Sequence, residues 1–217
     1  MTLEEKCLEI KKLSLELAVK QGEADIRSRL VYAETLAALY HAVLNVKPDE
    51  PYWEDRDRLM ICRSALAAQA AALAVEGFIP KERLTQAIGE APLNIPGLDG
   101  VASAPGENLA LAVDCALEAR AKIKIYKSFV LIDQADCLSG ALWENAIRAS
   151  ENMLEDLTVI LCRPSEHILS PVDNICARFS AFGFDTFSAA GTVPAAVAVA
   201  LQLPRRSTKP LFVCCDC

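Results

Sequence analysis

Apolar positions recur at helical spacing through the first third of the chain. The pattern predicts helices near residues 3–21, 31–45 (LVYAETLAALYHAVLNV) and 63–76 (RSALAAQAAALAVE). Pro48 and Pro51 punctuate the gap between the last two. Residues 90–108 (EAPLNIPGLDGVASAPGEN) carry three prolines and three glycines, which predicts a loop leading into a helix over about 106–122.

Beyond that loop, short apolar runs alternate with amphipathic segments. KSFVLI (127–132), LTVILC (157–162), FDTFSA (184–189) and PLFVCC (210–215) read as strands, with helices over 139–152, 171–181 and 193–203 between them. Strands apolar on both faces and joined by helical crossovers build a parallel sheet covered by helices on each side, so the predicted class is α/β. The loop before residue 106 is expected to precede the sheet. Ligands of such sheets bind beyond the carboxyl ends of the strands, which points to the loops after Ile132 and Cys162.

Composition narrows the function classes. No linker-like stretch interrupts the 217 residues, so one domain spanning 1–217 is expected. A hydrophobic fraction of 53% predicts apolar surface covered by another chain, and with it an obligate oligomer. A formal charge of -7 argues against nucleic acid as a partner, and the Arg205-Arg206 pair reads as solvated surface. No apolar run approaches the roughly 20 residues that span a bilayer, so no membrane association and a cytoplasmic location are expected. Of nine cysteines, Cys62, Cys115, Cys137, Cys162 and Cys176 lie in apolar segments and read as reduced core thiols. Cys214, Cys215 and Cys217 lack the spacing of a paired CxxC metal site.

Several strings, in order and at near-constant offsets along almost the whole chain, resemble the transketolase N-terminal, thiamine-diphosphate-binding family of the split-subunit type. LAALYHAVLNVKPDEPYWEDRDRL (36–59) is similar to the family's helix that ends in a proline-broken loop with WPDRDRF, and EGFIPKERL (76–84) resembles its GFFPxxxL. GALWENAIRAS (140–150) parallels GQVWEAAxxA, LEDLTVILCRP (154–164) parallels LDNLIxxVDRN, and FSAFGFDTFSAAG (179–191) parallels FxAFGWxVxExDG. The resemblance implies a thiamine-diphosphate-binding α/β fold.

The departures from the family fall on its chemistry. There a GDG string and a later Asn supply oxygens to the magnesium that holds the cofactor's diphosphate; the matching residues here are Ile132-Asp133-Gln134 and Pro164. Pro164 offers neither a side-chain oxygen nor an N–H. Ile132 puts a branched side chain where a glycine lets backbone approach phosphate. The family's SGH and SKGH histidines match positions held here by Asp25 and Ala65, and its GSLGQGL becomes Ser103-Ala104-Pro105-Gly106-Glu107-Asn108-Leu109. Asp25 and Glu107 would set negative charge against an anionic cofactor. The degenerate pocket positions are therefore Asp25, Ala65, Gly106, Glu107, Asp133, Gln134 and Pro164, with no catalytic residue among them and Asp133 the one surviving metal-ligand candidate.

Simpler roles stand beside each functional reading. One carboxylate is not a magnesium site, and a strand-end Asp commonly caps the next turn. His41 sits within a helical pattern, and His167, though near Cys162, has neither an orienting acid nor an oxyanion hole to make a Cys/His pair. Trp53 and Trp143 read as packing anchors, and the acidic and basic residues of YWEDRDRL as ion pairs within the fold. No GxGxxG or GxxxxGK[ST] string points to another cofactor.

The resemblance thus implies a subunit that keeps the fold and association surface but binds no cofactor of its own. Such a pseudoenzyme would be a structural or regulatory partner of a transketolase C-terminal-type subunit, in a hetero-oligomer or homodimer. Two alternatives follow from the same residues. One is a still-active ketol or acyl transferase subunit acting on sugar phosphates or 2-oxo compounds, with thiamine diphosphate and magnesium held by the partner or by residues such as Asp133, Glu107 and Asn108. The other is a reshaped pocket around Asp133 and Pro164 for a different small molecule.

Overall fold

A computed structural model describes residues 1–20, 30–84, 95–164, 174–204 and 207–217. The order is α1 (Leu3–Lys20), α2 (Ala33–Ala38), β1 (Arg58–Ile61), α3 (Leu66–Val75), β2 (Gly100–Val101), α4 (Glu107–Ala121), β3 (Ser128–Ile132), α5 (Gln134–Cys137), α6 (Gly140–Glu151), β4 (Leu157–Arg163), α7 (Ile175–Ala181), β5 (Asp185–Ala190), α8 (Pro194–Leu201) and β6 (Leu211–Asp216). The six strands form one sheet in the order β2-β1-β3-β4-β6-β5, every adjacent pair parallel. The α/β class and the parallel sheet expected from the sequence are found.

The two-residue period of a strand sorts the sheet's side chains onto two cores. Leu59, Ile61, Phe129, Leu131, Ile160, Cys162, Val213 and Cys215 face α1, α2, α3 and α8. Met60, Val130, Ile132, Val159, Leu161, Phe212 and Cys214 face α4, α6 and α7. Helix α3 is buried along Leu66–Ala74, so its alanines serve close internal packing under α1.

Three expectations need correction. The sheet does not begin after the loop: β1 lies at residues 58–61 and pairs with β3 from Arg58↔Ser128 to Ile61↔Leu131. Gly100–Val101, inside the proline-rich stretch, adds a further strand at the edge. The helix predicted over 31–45 is α-helical only over Ala33–Ala38, then widens into a π turn over Leu39–Val43 and ends at the extended Leu44. The wider turn buries Leu39 and Tyr40 while leaving His41 exposed, and the Tyr40 hydroxyl accepts a 2.5 Å bond from Gln69 Nε2.

The acidic and basic residues around β1 pin the amino-terminal pole of the sheet. Arg56 pairs with Asp99 at 2.6 Å with both side chains nearly buried, and Lys124 bridges Glu54 and Asp55 at 3.1 and 3.0 Å. Asp57 accepts from the Asn45 and Lys127 amides at 2.8 and 2.7 Å. Trp143 packs on Phe179 and Phe182 with centroids 5.1 Å away in each case, and Lys47 lies 4.1 Å from the Trp53 ring.

Candidate functional site

The carboxyl ends of β1, β3 and β4 open onto a cleft of about 260 Å³ whose walls include Tyr32, Ser64, Asp133, Gln134, Cys162 and Pro164. Asp133 follows β3 directly and its extended backbone starts α5. Its Oδ1 accepts the Asp136 amide at 3.0 Å while Asp136 Oδ2 accepts the Asp133 amide at 2.8 Å, a reciprocal capping box that satisfies two N–H groups at the helix start. Asp133 Oδ2 accepts from the Ser64 hydroxyl at 2.8 Å, and Ser64 is in turn 2.8 Å from the Tyr32 hydroxyl.

Behind Asp133 the network continues inward. Asp136 is 2% exposed; its Oδ1 accepts the Gly106 amide at 2.7 Å and its Oδ2 accepts Asn108 Nδ2 at 3.1 Å. Asn108 also donates to the Leu131 carbonyl at 2.8 Å. Burial pushes the Asp136 carboxyl above the usual carboxylate range, against the opposing pull of the Asp133 and Gly106 amides. Gly106 has φ +83°, and a Cβ there would meet the Leu142 backbone nitrogen at 2.6 Å, so only glycine fits where the loop crosses the start of α6.

Of the residues singled out in the sequence, Asp133, Gln134 and Pro164 share the cleft, and Gly106 is one hydrogen bond behind Asp136. Ala65 is wholly buried in the core. Glu107 turns back on its own loop, accepting the Ser103 and Ala104 amides at 2.7 and 3.1 Å; these bonds hold its carboxyl below the usual value. Its charge is thus spent on the loop before α4. Ile132 has no exposed surface and packs toward α4 and α6, so its branched side chain does not obstruct the cleft as the sequence suggested. Asp25, His167 and the Arg205-Arg206 pair lie outside the described residues. Asp136 and Tyr32 were not anticipated; the Asp-x-x-Asp spacing at 133–136 is the signal that identifies the first.

The cysteines are all free thiols. Burial pushes Cys62, Cys137 and Cys215 up to about 12. Cys162, in contact with Cys217 and buried, is raised well above the ordinary thiol value. Cys62, Asp133 and Asp136 offer ligand atoms within 4.8 Å of one another. Magnesium takes oxygen ligands at about 2.0–2.1 Å in an octahedral shell, and a protonated thiol is no substitute. Both oxygens of the buried Asp136 accept from the Gly106, Asp133 and Asn108 N–H groups, so among the described residues Asp133 is the one carboxylate in the cleft wall. The residues present therefore do not fit a magnesium-held diphosphate.

Among the described residues no helix is long and apolar enough to cross a membrane. No family model matches the chain. Among curated proteins it is 27% identical over 206 residues to an apulose-4-phosphate transketolase subunit of Phocaeicola vulgatus, covering 88% of this chain and 73% of that protein. It is 26% identical over 221 residues to 6-deoxy-6-sulfo-D-fructose transketolase subunit SqwG of a Clostridium species, covering 94% and 80%. Transketolase from Campylobacter jejuni superposes with a TM-score of 0.84 at 24% identity, over 99% of this chain and 37% of that one. The chain therefore spans little more than a third of that solved transketolase. The resemblance read in the motifs holds: this chain is a homologue of transketolase subunits with a transketolase N-terminal-like α/β fold.

Proposed function

We propose that residues 1–217 form one transketolase N-terminal-like domain that holds neither thiamine diphosphate nor magnesium and serves as a structural or regulatory partner. Its counterpart is a separate, cytoplasmic transketolase C-terminal-type subunit, in a hetero-oligomer built on this chain's own pairing. The observation that carries this reading is the network of Asp133, Asp136, Gly106 and Ser64, which turns the buried Asp136 carboxylate into the fold and leaves Asp133 as the one carboxylate in the cleft wall among the described residues, too few oxygens for a magnesium ion. Pro164, which lines the same cleft as Asp133 and Ser64, adds no side-chain ligand. The names of the relatives as subunits support a partner chain. So do large apolar side chains left open to solvent, among them Leu8, Val19 and Val199.

Native mass spectrometry of the tagged protein, purified gently from its own cells, tests this. A complex that contains a transketolase C-terminal-type subunit but no added ligand mass is expected. Thiamine diphosphate retained by that complex, or a lone monomer with no partner in cells, overturns the reading.

The transketolase names of the relatives favour a second reading, an active transferase subunit in which Asp133, Glu107 and Asn108 become cofactor ligands. It requires Glu107 to release the Ser103 and Ala104 amides and the buried Asn108 to turn outward. Transfer of a two-carbon unit by the reconstituted pair, dependent on thiamine diphosphate and magnesium, would establish it; an inactive pair would dismiss it.

A further inference from the structure

Among the described residues, the cleft at the carboxyl ends of β1, β3 and β4 has one charged group in its wall, the Asp133 carboxylate. Among the described residues that line it there is no Lys, Arg or His. Ser64, Gln134 and Tyr32 add neutral polar groups, and the Cys162 thiol stays protonated because burial and the Cys217 contact hold it so. The rest of the wall, including Ala135 and Pro164, is apolar. At about 260 Å³ the space is smaller than the roughly 300–1,000 Å³ that drug-sized ligands fill, so its occupant is smaller than a drug-sized molecule. The charge that the described residues set on the cleft repels a diphosphate and attracts a cation, and the chain's formal charge of -7 acts in the same direction.

On the reading above, that the cleft no longer holds a diphosphate, we propose that it binds a small organic cation with an N–H donor, a short alkylammonium, seated on Asp133 beside Ser64. Asp133 has the capacity for it. A carboxylate offers about four acceptor positions; the capping amide and the Ser64 hydroxyl each use one. The alkyl part packs against Ala135 and Pro164, and the ammonium replaces its lost water with the carboxylate and the neutral hydroxyls around it.

The test is a titration of the 15N-labelled full chain at constant ionic strength with ethylammonium chloride and, separately, with pyrophosphate plus magnesium, followed by amide shifts. Ethylammonium is expected to give saturable shifts confined to Ser64, Asp133, Gln134, Ala135 and Cys162, and pyrophosphate none. Asp133→Asn keeps an N-cap oxygen and should weaken ethylammonium binding roughly tenfold or more. Ala135→Leu, which leaves the carboxylate in place and fills the cleft, should weaken it likewise. If neither probe saturates, or if Asp133→Asn binds ethylammonium as tightly as the unaltered chain, this proposal fails and the functional reading stands. Saturation by magnesium pyrophosphate at these amides defeats both.

Discussion

Replacing Asp136 by alanine removes the acceptor on which three segments converge. The side chain accepts the Gly106 amide at 2.7 Å, the Asp133 amide at 2.8 Å and Asn108 Nδ2 at 3.1 Å. Asn108 keeps its bond to the Leu131 carbonyl, so two backbone N–H groups lose their partners. Each buried orphan costs about 1–3 kcal/mol. Against this, the substitution abolishes the cost of burying a carboxylate, the largest influence on its pKa. The net loss should be about 2–4 kcal/mol, a fall in Tm of roughly 5–15 °C for a chain of this size. Urea denaturation of both proteins at pH 7 measures it, and a loss under about 1 kcal/mol would refute the network's role. The pH dependence gives a second check. Because the folded pKa is raised above the unfolded value near 3.9, the contribution of Asp136 is full below that value and declines as pH rises through the folded pKa. The stability gap between the two proteins should therefore widen as pH is lowered from 7 toward about 4. A gap that narrows contradicts the assignment.

Three further outcomes are expected. Gly106→Ala should cost about 2–4 kcal/mol in denaturant titration, since its Cβ would sit 2.6 Å from the Leu142 nitrogen at a φ of +83°; a neutral effect would mean the loop moves freely. Arg56→Ala, which leaves Asp99 buried with Arg58 at 3.8 Å as its remaining ion-pair partner, should lower stability by about 3–5 kcal/mol, and a loss below about 1 kcal/mol would show the pair to be dispensable. At pH 8 iodoacetamide should leave Cys62, Cys137 and Cys215 unmodified in the native protein and label them on unfolding, because burial raises each thiol to about 12; rapid native labelling of Cys62, read by peptide mass, would count against the packing at the end of β1.

β3, β4 and β6 were legible because each is an apolar run bounded by polar or proline residues, and both faces of the sheet need apolar cover; β5, DTFSAA, is a half-exposed edge strand whose signal is its position between two helical segments. β1 was not, since RLMI is four residues long inside a charged segment and becomes a strand only through its pairing with β3. The π turn at Leu39–Val43 is equally hidden, its cause being the need to bury Tyr40 beside Gln69 and Phe78. Asp133 and Pro164 could be placed at strand ends from periodicity alone. The partners of Asp133 could not, because Ser64 arrives from a residue 69 positions away and Asp136 takes part through backbone as much as side chain. Ile132 shows the opposite failure: its identity suggested obstruction, but strand parity turns it into the far core.

The strand order also dictates how the sheet must be assembled during synthesis. Among the described residues β5 pairs in the sheet with β6 alone, and β6 stands between it and β4. While β6 is still inside the ribosome, β5 has no neighbour in the sheet and the flank of β4 is bare. The last third of the sheet must therefore close after residues 211–216 emerge, when β6 enters between β4 and β5.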